Sequence, residues 1–421
     1  MASGPVGSRI ANPPSAPALI ELGDIRVHTP VILAPMAGVT DQAFRKICRQ
    51  FGERPLAQHC PALLQDAVPH VDAPSGLYVA EMVTARALLE GSDRAWSMVR
   101  PDPSERVRSV QLYGTDPTSL SRAAGMLVER GLADHIDLNF GCPVPKVTRK
   151  GGGAAIPWKK DLFEQIVNQV VGSVEKAARS RQVNVPVTIK MRIGIDDDHV
   201  TAIDAALIAQ RAGVAAVGLH ARTQRQYYSG SAQWDWIAKL KDTVTIPVFG
   251  NGDVFSAADA TAMMKQTGCD AVIVGRGCQG RPWLFSDLTS AMWGFDDHST
   301  PSLREVSEII VEHARQSVAN SGDEDRSMRE MRKHVGWYLR GFSVGGQARR
   351  NLNLVGSMTE LEDRLAALDL KQEYPAAAEG TRGRAGTQKK PHLPHGWLDS
   401  PVLSDEERAG LWEAEDGVSG G

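Results

Sequence analysis

Between Pro30 and Gly277 the chain repeats one pattern: a short β-branched run, a turn of polar or glycine residues, then a stretch with apolar positions at helical spacing. The pattern predicts strands at Val31–Pro35, Leu77–Met82, Ser109–Tyr113, His135–Asn139, Val187–Met191, Ala216–His220, Val248–Asn251 and Ala271–Val274. Helices are predicted over Asp41–Phe51, Thr84–Glu90, Pro117–Arg130, Leu162–Ser180, Val200–Ala212, Trp234–Lys241 and Ala257–Gln266, with Pro282–Trp293 after the eighth strand. Strands alternating with helices imply parallel pairing through crossovers, and eight such units predict an α/β fold of the (β/α)8 TIM-barrel type. An open doubly wound sheet is the alternative, but no GxGxxG follows the first strand.

Two stretches break the rhythm. Gly52 to Ser75 holds Pro55, Pro61, Pro69 and Pro74, is too long for a plain helix-to-strand loop, and reads as an insertion in which His59 and Cys60 are incidental. From Leu303 to Leu370 no strand appears, and helices are predicted over Ser307–Asn320, Met328–Arg340, Gln347–Val355 and Glu360–Asp369. The expected division is a flexible N-terminus (1–19), a barrel (20–295), a C-terminal all-helical domain (301–370) and a loosely ordered tail (371–421) rich in Gly, Pro and charge.

Composition excludes more than it selects. With 42% apolar and 23% charged residues the chain reads as a globular protein, and no apolar run approaches the roughly 18 residues of a membrane span. The N-terminus lacks the apolar stretch of a signal peptide, and the five cysteines form no CxxC pair, so a reducing cytoplasm and no metal site are expected. The net charge of −3 is carried by the tail, where six basic and nine acidic side chains lie between Lys371 and Gly421. Between Arg326 and Arg350, by contrast, seven Lys/Arg face one acid, Glu330. That run is either a solvated face or a phosphate-facing patch; its contrast with the rest favours the patch.

In a barrel the chemistry gathers at the C-terminal ends of the strands. Those ends carry Pro35-Met36-Ala37, Glu81-Met82, Gln111, Asn139 with Cys142, Lys190 with Arg192, His220 with Arg222, Asn251-Gly252-Asp253 and Gly275-Arg276. The last two follow strands seven and eight, the usual phosphate position, where glycines admit backbone N–H groups and Arg276 adds a charged fork. Either glycine pair alone reads equally well as a tight turn; together they favour phosphate. Lys190 needs an anionic partner, which a reduced flavin ring would supply, with Gln111 on the same polar edge. A lone His220 is more often structural. Cys142, between Gly141 and Pro143 on a loop at the mouth, has a thiol able to donate a proton near neutral pH. Lys146, Arg149, Lys150 and Gly151-Gly152-Gly153 after it suit a mobile lid meeting a polyanion.

Leu33-Ala34-Pro35-Met36-Ala37-Gly38-Val39-Thr40-Asp41, Asn139-Phe140-Gly141-Cys142-Pro143, Lys190-Met191-Arg192, His220-Ala221-Arg222-Thr223, Asn251-Gly252-Asp253 and Gly275-Arg276-Gly277, in that order, resemble the bacterial FMN-dependent tRNA-dihydrouridine synthase family. The resemblance runs from about Ile20 to about Val355. It implies reduction of the 5,6 double bond of uridine in tRNA, using FMN that NADPH reduces. FMN would be held by Pro35, Met36, Ala37, Gln111, Lys190, His220, Asn251, Gly252, Asp253, Gly275 and Arg276, with Cys142 as the general acid. The expected substrate contacts are Asn139, Arg192 and Arg222 at the uracil, and Lys146, Arg149, Lys150, Arg329, Arg332 and Lys333 along the RNA. The target base must leave its stack to reach a barrel mouth. A cytoplasmic monomer, without membrane or metal, completes the expectation. The rivals are an FMN barrel enzyme acting on a free pyrimidine, which would not need the basic helical domain, and a non-catalytic RNA-binding regulator, which would purify without flavin.

Overall fold

The computed structural model describes residues 16–383 and 385–414. Its centre is a nine-stranded parallel sheet in the order Leu77–Tyr78, Val31–Leu33, Ala271–Val274, Val248–Asn251, Ala216–His220, Val187–Arg192, His135–Phe140, Ser109–Tyr113, Val83–Thr84. All neighbours pair in parallel, with registers such as Val217 opposite Val248 and Ile136 opposite Val187. The predicted strands are all present, within a residue or two at their ends, except one. Of Leu77–Met82 only Leu77–Tyr78 is strand, paired with Val31–Leu33, and a second short piece, Val83–Thr84, follows it and pairs with Ser109–Tyr113. Those pieces are the two ends of the sheet, and Ala80 N between them donates to Ser109 O (2.9 Å).

Helices cover the outer face because their apolar stripes match it: Lys160–Ser180 buries Phe163, Val167, Val170 and Val174, all fully. Beneath the sheet, Ile20–Leu22 and Ile25–Val27 form an antiparallel hairpin that pairs onward with Asp72–Ala73. Its buried Ile20, Leu22, Ile25 and Val27 pack with Ile32, Leu77, Phe249 and Ile273 from the sheet. These three-residue strands are too short to leave a periodic signal.

The presumed insertion is partly regular. The first helix, capped by Asp41, runs from Gln42 to His59 straight through Pro55, because Phe51 and Leu56 still face the core. Helices Leu303–Ser321, Glu324–Tyr338, Gly346–Leu352 and Met358–Ala366 then form the expected strandless region. They rest on the first helix, where the Phe44 ring lies 5.6 Å from His313 and 5.7 Å from His334. The helix Glu324–Tyr338 also meets the loop after the last strand: a Cβ on Gly280 would lie 2.3 Å from the Trp337 carbonyl carbon.

The described tail is not loose. Arg382 and Trp397 are each 2% exposed, and Arg382 donates to the carbonyls of Gln279, Trp337 and Ala378. A Gly/Pro-rich composition predicts little core, yet two large side chains find prepared slots between loops. Among the described residues no helix is long and apolar enough to cross a membrane, and no group of three His, Cys, Asp or Glu could hold a metal.

Candidate active site

Every strand-end residue expected at a cofactor lines one cavity of about 440 Å³, together with Asn139, Cys142 and Arg192. The parallel strands deliver them: all lie beyond the C-terminal ends or within their last three residues. Met82, at an expected strand end, also lines it; Tyr228 and Phe255 line it too and were not foreseen, since the loops that carry them have no periodicity.

The wall around Cys142 is a hydrogen-bonded framework. Asn139 Oδ1 accepts from the N–H groups of Gly141 (3.1 Å) and Cys142 (2.9 Å), and Asn139 Nδ2 donates to Gln111 Oε1 (2.8 Å). Gln111 in turn gives one N–H to Asp137 Oδ2 (2.6 Å), and Thr188 Oγ1 donates to Asp137 Oδ1 (2.6 Å). A His135 ring nitrogen lies 2.8 Å from Thr188 Oγ1. Burial pushes the Asp137 carboxyl up to about 6, against the hydrogen bonds from Thr188 and Gln111, and burial pulls His135 down to about 4. Asp137 escaped the sequence reading although it shares a strand face with His135 and Asn139, an i, i+2 signal that was there to use.

Arg192 belongs to the same framework. Its Nε donates to Gly141 O (2.8 Å), and one terminal nitrogen donates to Thr223 O (2.9 Å) and Tyr227 O (2.8 Å). Asn139 and Arg192, expected to polarise uracil, thus have these groups engaged in holding the Cys142 loop. Cys142 itself is half-buried. Burial raises its thiol above the ordinary value, opposed by the Val144 amide and by the nearby Arg192 and Lys190 charges. At neutral pH it is therefore a protonated thiol, the form that can donate.

Cations dominate the rest. Lys190 has no ion-pair partner among the described residues; burial first, then neighbouring Arg192, lowers its ammonium to about 8. His220 is held neutral by burial and by the Arg192, Lys190, Arg222 and Arg276 charges around it. The Arg276 guanidinium lies 4.5 Å from the Tyr228 ring centre and 3.4 Å from Asp253 Oδ1.

Arg222 corrects its expectation. It does not line the cavity and is 1% exposed; its terminal nitrogen donates to Gly230 O (2.6 Å) and Asp253 Oδ2 (2.7 Å), and its Nε to Ser229 O (3.1 Å). A buried guanidinium needs several acceptors, and the loop carbonyls supply them. Asp253, expected at the cofactor, uses its carboxylate on Arg222, Arg276 and the Ala232 N–H (2.7 Å). This fixes a left-handed backbone at Asp253 (φ 57°), beside Gly252 at φ 129°.

The presumed RNA contacts divide. Lys146 and Arg149 are exposed and Lys150 half-buried on the loop after Cys142, none with an ion pair among the described residues. Arg329 is exposed, and Lys333 reaches the loop after the first strand, 3.2 Å from where a Gly38 Cβ would stand. Arg332 is a second correction: it is half-buried and its Nε donates to Val355 O (3.1 Å), tying its helix to the link between the next two.

Against known proteins, the dihydrouridine synthase family profile matches residues 32–374. A probable tRNA-dihydrouridine synthase of Mycobacterium tuberculosis is 50% identical over 387 residues, covering 92% of this chain and 94% of the relative. The tRNA-dihydrouridine synthase B of Pseudomonas aeruginosa is 36% identical over 336 residues, covering 80% and 91%.

Proposed function

The chain belongs to the tRNA-dihydrouridine synthase family, an FMN-dependent group that reduces the C5=C6 bond of uridine in tRNA, and from that premise we propose how its residues divide the work. The observation that carries the proposal is the meeting, in one cavity at the strand ends, of a protonated thiol and a cation with no ion-pair contact among the described residues. The residues fit FMN: Lys190 would meet the polar edge of the ring, where Gln111 keeps a second N–H, and Gly252, Gly275 and Arg276 would hold the phosphate end. Bound there, FMN supplies the hydride added at uracil C6, with NADPH as the source of electrons.

The chain's own residues do the remainder. Cys142 gives its proton to C5, and its high thiol value keeps that proton in place until the base arrives. Asn139 and Arg192 set where the thiol stands, by holding the amide and carbonyl groups at residues 141 and 142. The stretch 77–84 serves as the second strand of an eight-stranded barrel, broken in its middle, so that the sheet closes around the cavity floor. Helices between Leu303 and Ala366 form the RNA-binding domain, with Lys333 at the rim beside the first strand's loop. We place the enzyme in the cytoplasm as a monomer. Incubating the flavin-loaded protein with NADPH and unmodified tRNA, then measuring dihydrouridine in digested nucleosides, tests this. Extracted flavin that proves to be FAD, or reduction of free uridine in place of tRNA, would overturn it.

A further inference from the structure

Past Tyr374, where the family match ends, the chain continues across the loops that surround the cavity. Lys389 N donates to Arg225 O (2.9 Å) on the loop after the strand Ala216–His220. The tail then meets the segment that follows Cys142. Thr148 Oγ1 donates to His392 O (2.7 Å), Trp397 Nε1 donates to Ala155 O (3.1 Å), and Lys160 N donates to Pro401 O (2.9 Å). Lys159, 1% exposed, donates to Ser400 O (2.9 Å) and pairs with Glu407 at 2.8 Å. Asp161 accepts from Leu403 N (3.1 Å) and pairs with Arg408. Few exposed tails hold a buried lysine in this way, because a buried ammonium demands its full set of acceptors.

These contacts lead to the thiol in two steps. A Cβ on Gly151 would lie 2.6 Å from the Trp397 ring, so the outer end of the ring sits against backbone that no larger residue could provide. Next to the Ala155 carbonyl that Trp397 holds, Ala154 N donates to Cys142 O (3.1 Å). Gly153 presses on the same residue: its Cβ would stand 2.6 Å from Cys142 O. The glycines that suggest a mobile lid in the sequence are here contact surfaces, gripped on one side by Trp397 and on the other by Cys142.

We propose that Trp397 is a positioning residue for the proton transfer. With Lys159 it holds the turn 151–155 in the arrangement that keeps the Cys142 thiol at the cavity. The C-terminal segment is then a working part of the active site. The proposal rests on the reading of Cys142 as proton donor. A misplacement of about 1 Å in a reacting group can cost ~10²-fold in rate, so loosening this turn is felt at the thiol.

The test uses full-length, flavin-loaded protein carrying Trp397→Ala, Trp397→Phe or Thr148→Val. Three rates are read: tRNA uridine reduction by pre-reduced enzyme, flavin reduction by NADPH, and alkylation of Cys142 by iodoacetamide, with half-buried Cys60 as internal control. Trp397→Ala should slow uridine reduction by ~10- to ~100-fold, through kcat and not KM, with NADPH oxidation unchanged. Cys142 should alkylate faster while Cys60 does not change. Trp397→Phe keeps an aromatic ring but loses the bond to Ala155 O and the outer ring atoms that lie on Gly151, so it should show the same split between the half-reactions with a smaller loss. Thr148→Val removes the bond to His392 O and a longer one (3.4 Å) to Val144 O but leaves Trp397 in place, so a smaller loss in the same direction supports the proposal even if Trp397→Ala folds poorly. Unchanged uridine reduction and unchanged Cys142 alkylation would overturn it, as would an equal loss in both half-reactions. A wild-type protein that reduces no uridine refutes the functional reading, and the alkylation contrast then still decides whether the tail grips the turn.

Discussion

On one wall of the cavity Cys142 is held by neighbouring Asn139, by Arg192 from the next strand and by the turn that Trp397, far along the chain, grips. On the other wall, Gly252, Asp253, Gly275 and Arg276 are shaped by local backbone conformation, locked by the Arg222–Asp253 pair. The first wall is a long-range construction around one reactive atom. The second is a pair of short loops that need only the right φ angles. Substitutions should therefore separate the two half-reactions: damage to the first wall leaves flavin chemistry intact, and damage to the second removes the flavin itself.

The sharpest separation is Cys142→Ala. Reduction of tRNA uridine should fall by ~10² to ~10⁴, the usual worth of a general acid, while NADPH still bleaches the flavin at its normal rate. Stopped-flow flavin absorbance and nucleoside analysis read the two steps on one sample. Near-normal uridine reduction would return Cys142 to the role of a packed thiol and erase the contrast between the walls.

Gly252→Ala attacks the other wall. Its φ of 129° is strained for any residue with a Cβ, and that Cβ would lie 2.7 Å from the Ala232 Cβ. Strain of ~1 to ~3 kcal/mol should weaken FMN binding by roughly ten- to a hundredfold. The protein should purify with less flavin, and excess FMN should restore uridine reduction, which it cannot do for Cys142→Ala. Full flavin occupancy in Gly252→Ala would place the cofactor elsewhere.

Acidity separates the walls again, more gently. The Cys142 thiol sits above its ordinary value, so the donating form persists as pH rises and is lost only on passing that raised value. The uridine step should hold steady through neutral pH and decline only above the ordinary thiol range of about 8.5. Lys190 is lowered to about 8, so in the flavin-free protein its charge is present below that pH and lost above it. FMN affinity should be flat below pH 8 and weaken above it, by at most ~10-fold per unit for a single linked proton. Titrating flavin fluorescence against pH measures this; affinity that rises between pH 8 and 9 would exclude Lys190 as the cofactor's cation.

The two walls were not equally legible in the sequence. Alternating β-branched runs mark the strands, and position at a strand end was enough to pick out Gln111, Lys190, His220, Asn251 and Gly275, which line one cavity. What side chains do once there depends on partners far along the chain. Nothing local says that Arg222 turns inward to Asp253, 31 residues on, or that Thr148 bonds His392, 244 residues on. The tail misled for a related reason: its composition lacks a core of its own, and composition cannot show that it borrows one from the loops it crosses.

The smallest expected effect concerns the helical region, where the seven basic residues of 326–350 looked alike in the sequence. The structure sorts them. Arg326 pairs with Glu330 (3.2 Å), Arg332 bonds Val355 O, and Arg349 donates to Leu339 O (2.9 Å) and Phe342 O (2.5 Å). Arg350 donates to Gln347 Oε1 (2.8 Å), which leaves the exposed Arg329, Lys333 and Arg340 with no ion pair among the described residues; Arg329 and Lys333 share one helix. If they face tRNA phosphates, Arg329→Ala with Lys333→Ala should weaken tRNA binding and make its salt dependence shallower, by ~0.7 to ~0.9 in log–log slope per lost contact. Flavin reduction by NADPH should not move, since neither side chain lines the cavity. Arg332→Ala is the matched control: loss of the Val355 contact should lower thermal stability and leave the salt slope as it was. A double variant with the wild-type slope would transfer the phosphate contacts to Lys146, Arg149 and Lys150, on the wall that already holds Cys142. The same variant with a shallower slope and unchanged flavin chemistry would make the RNA-binding surface separable from both walls of the cavity.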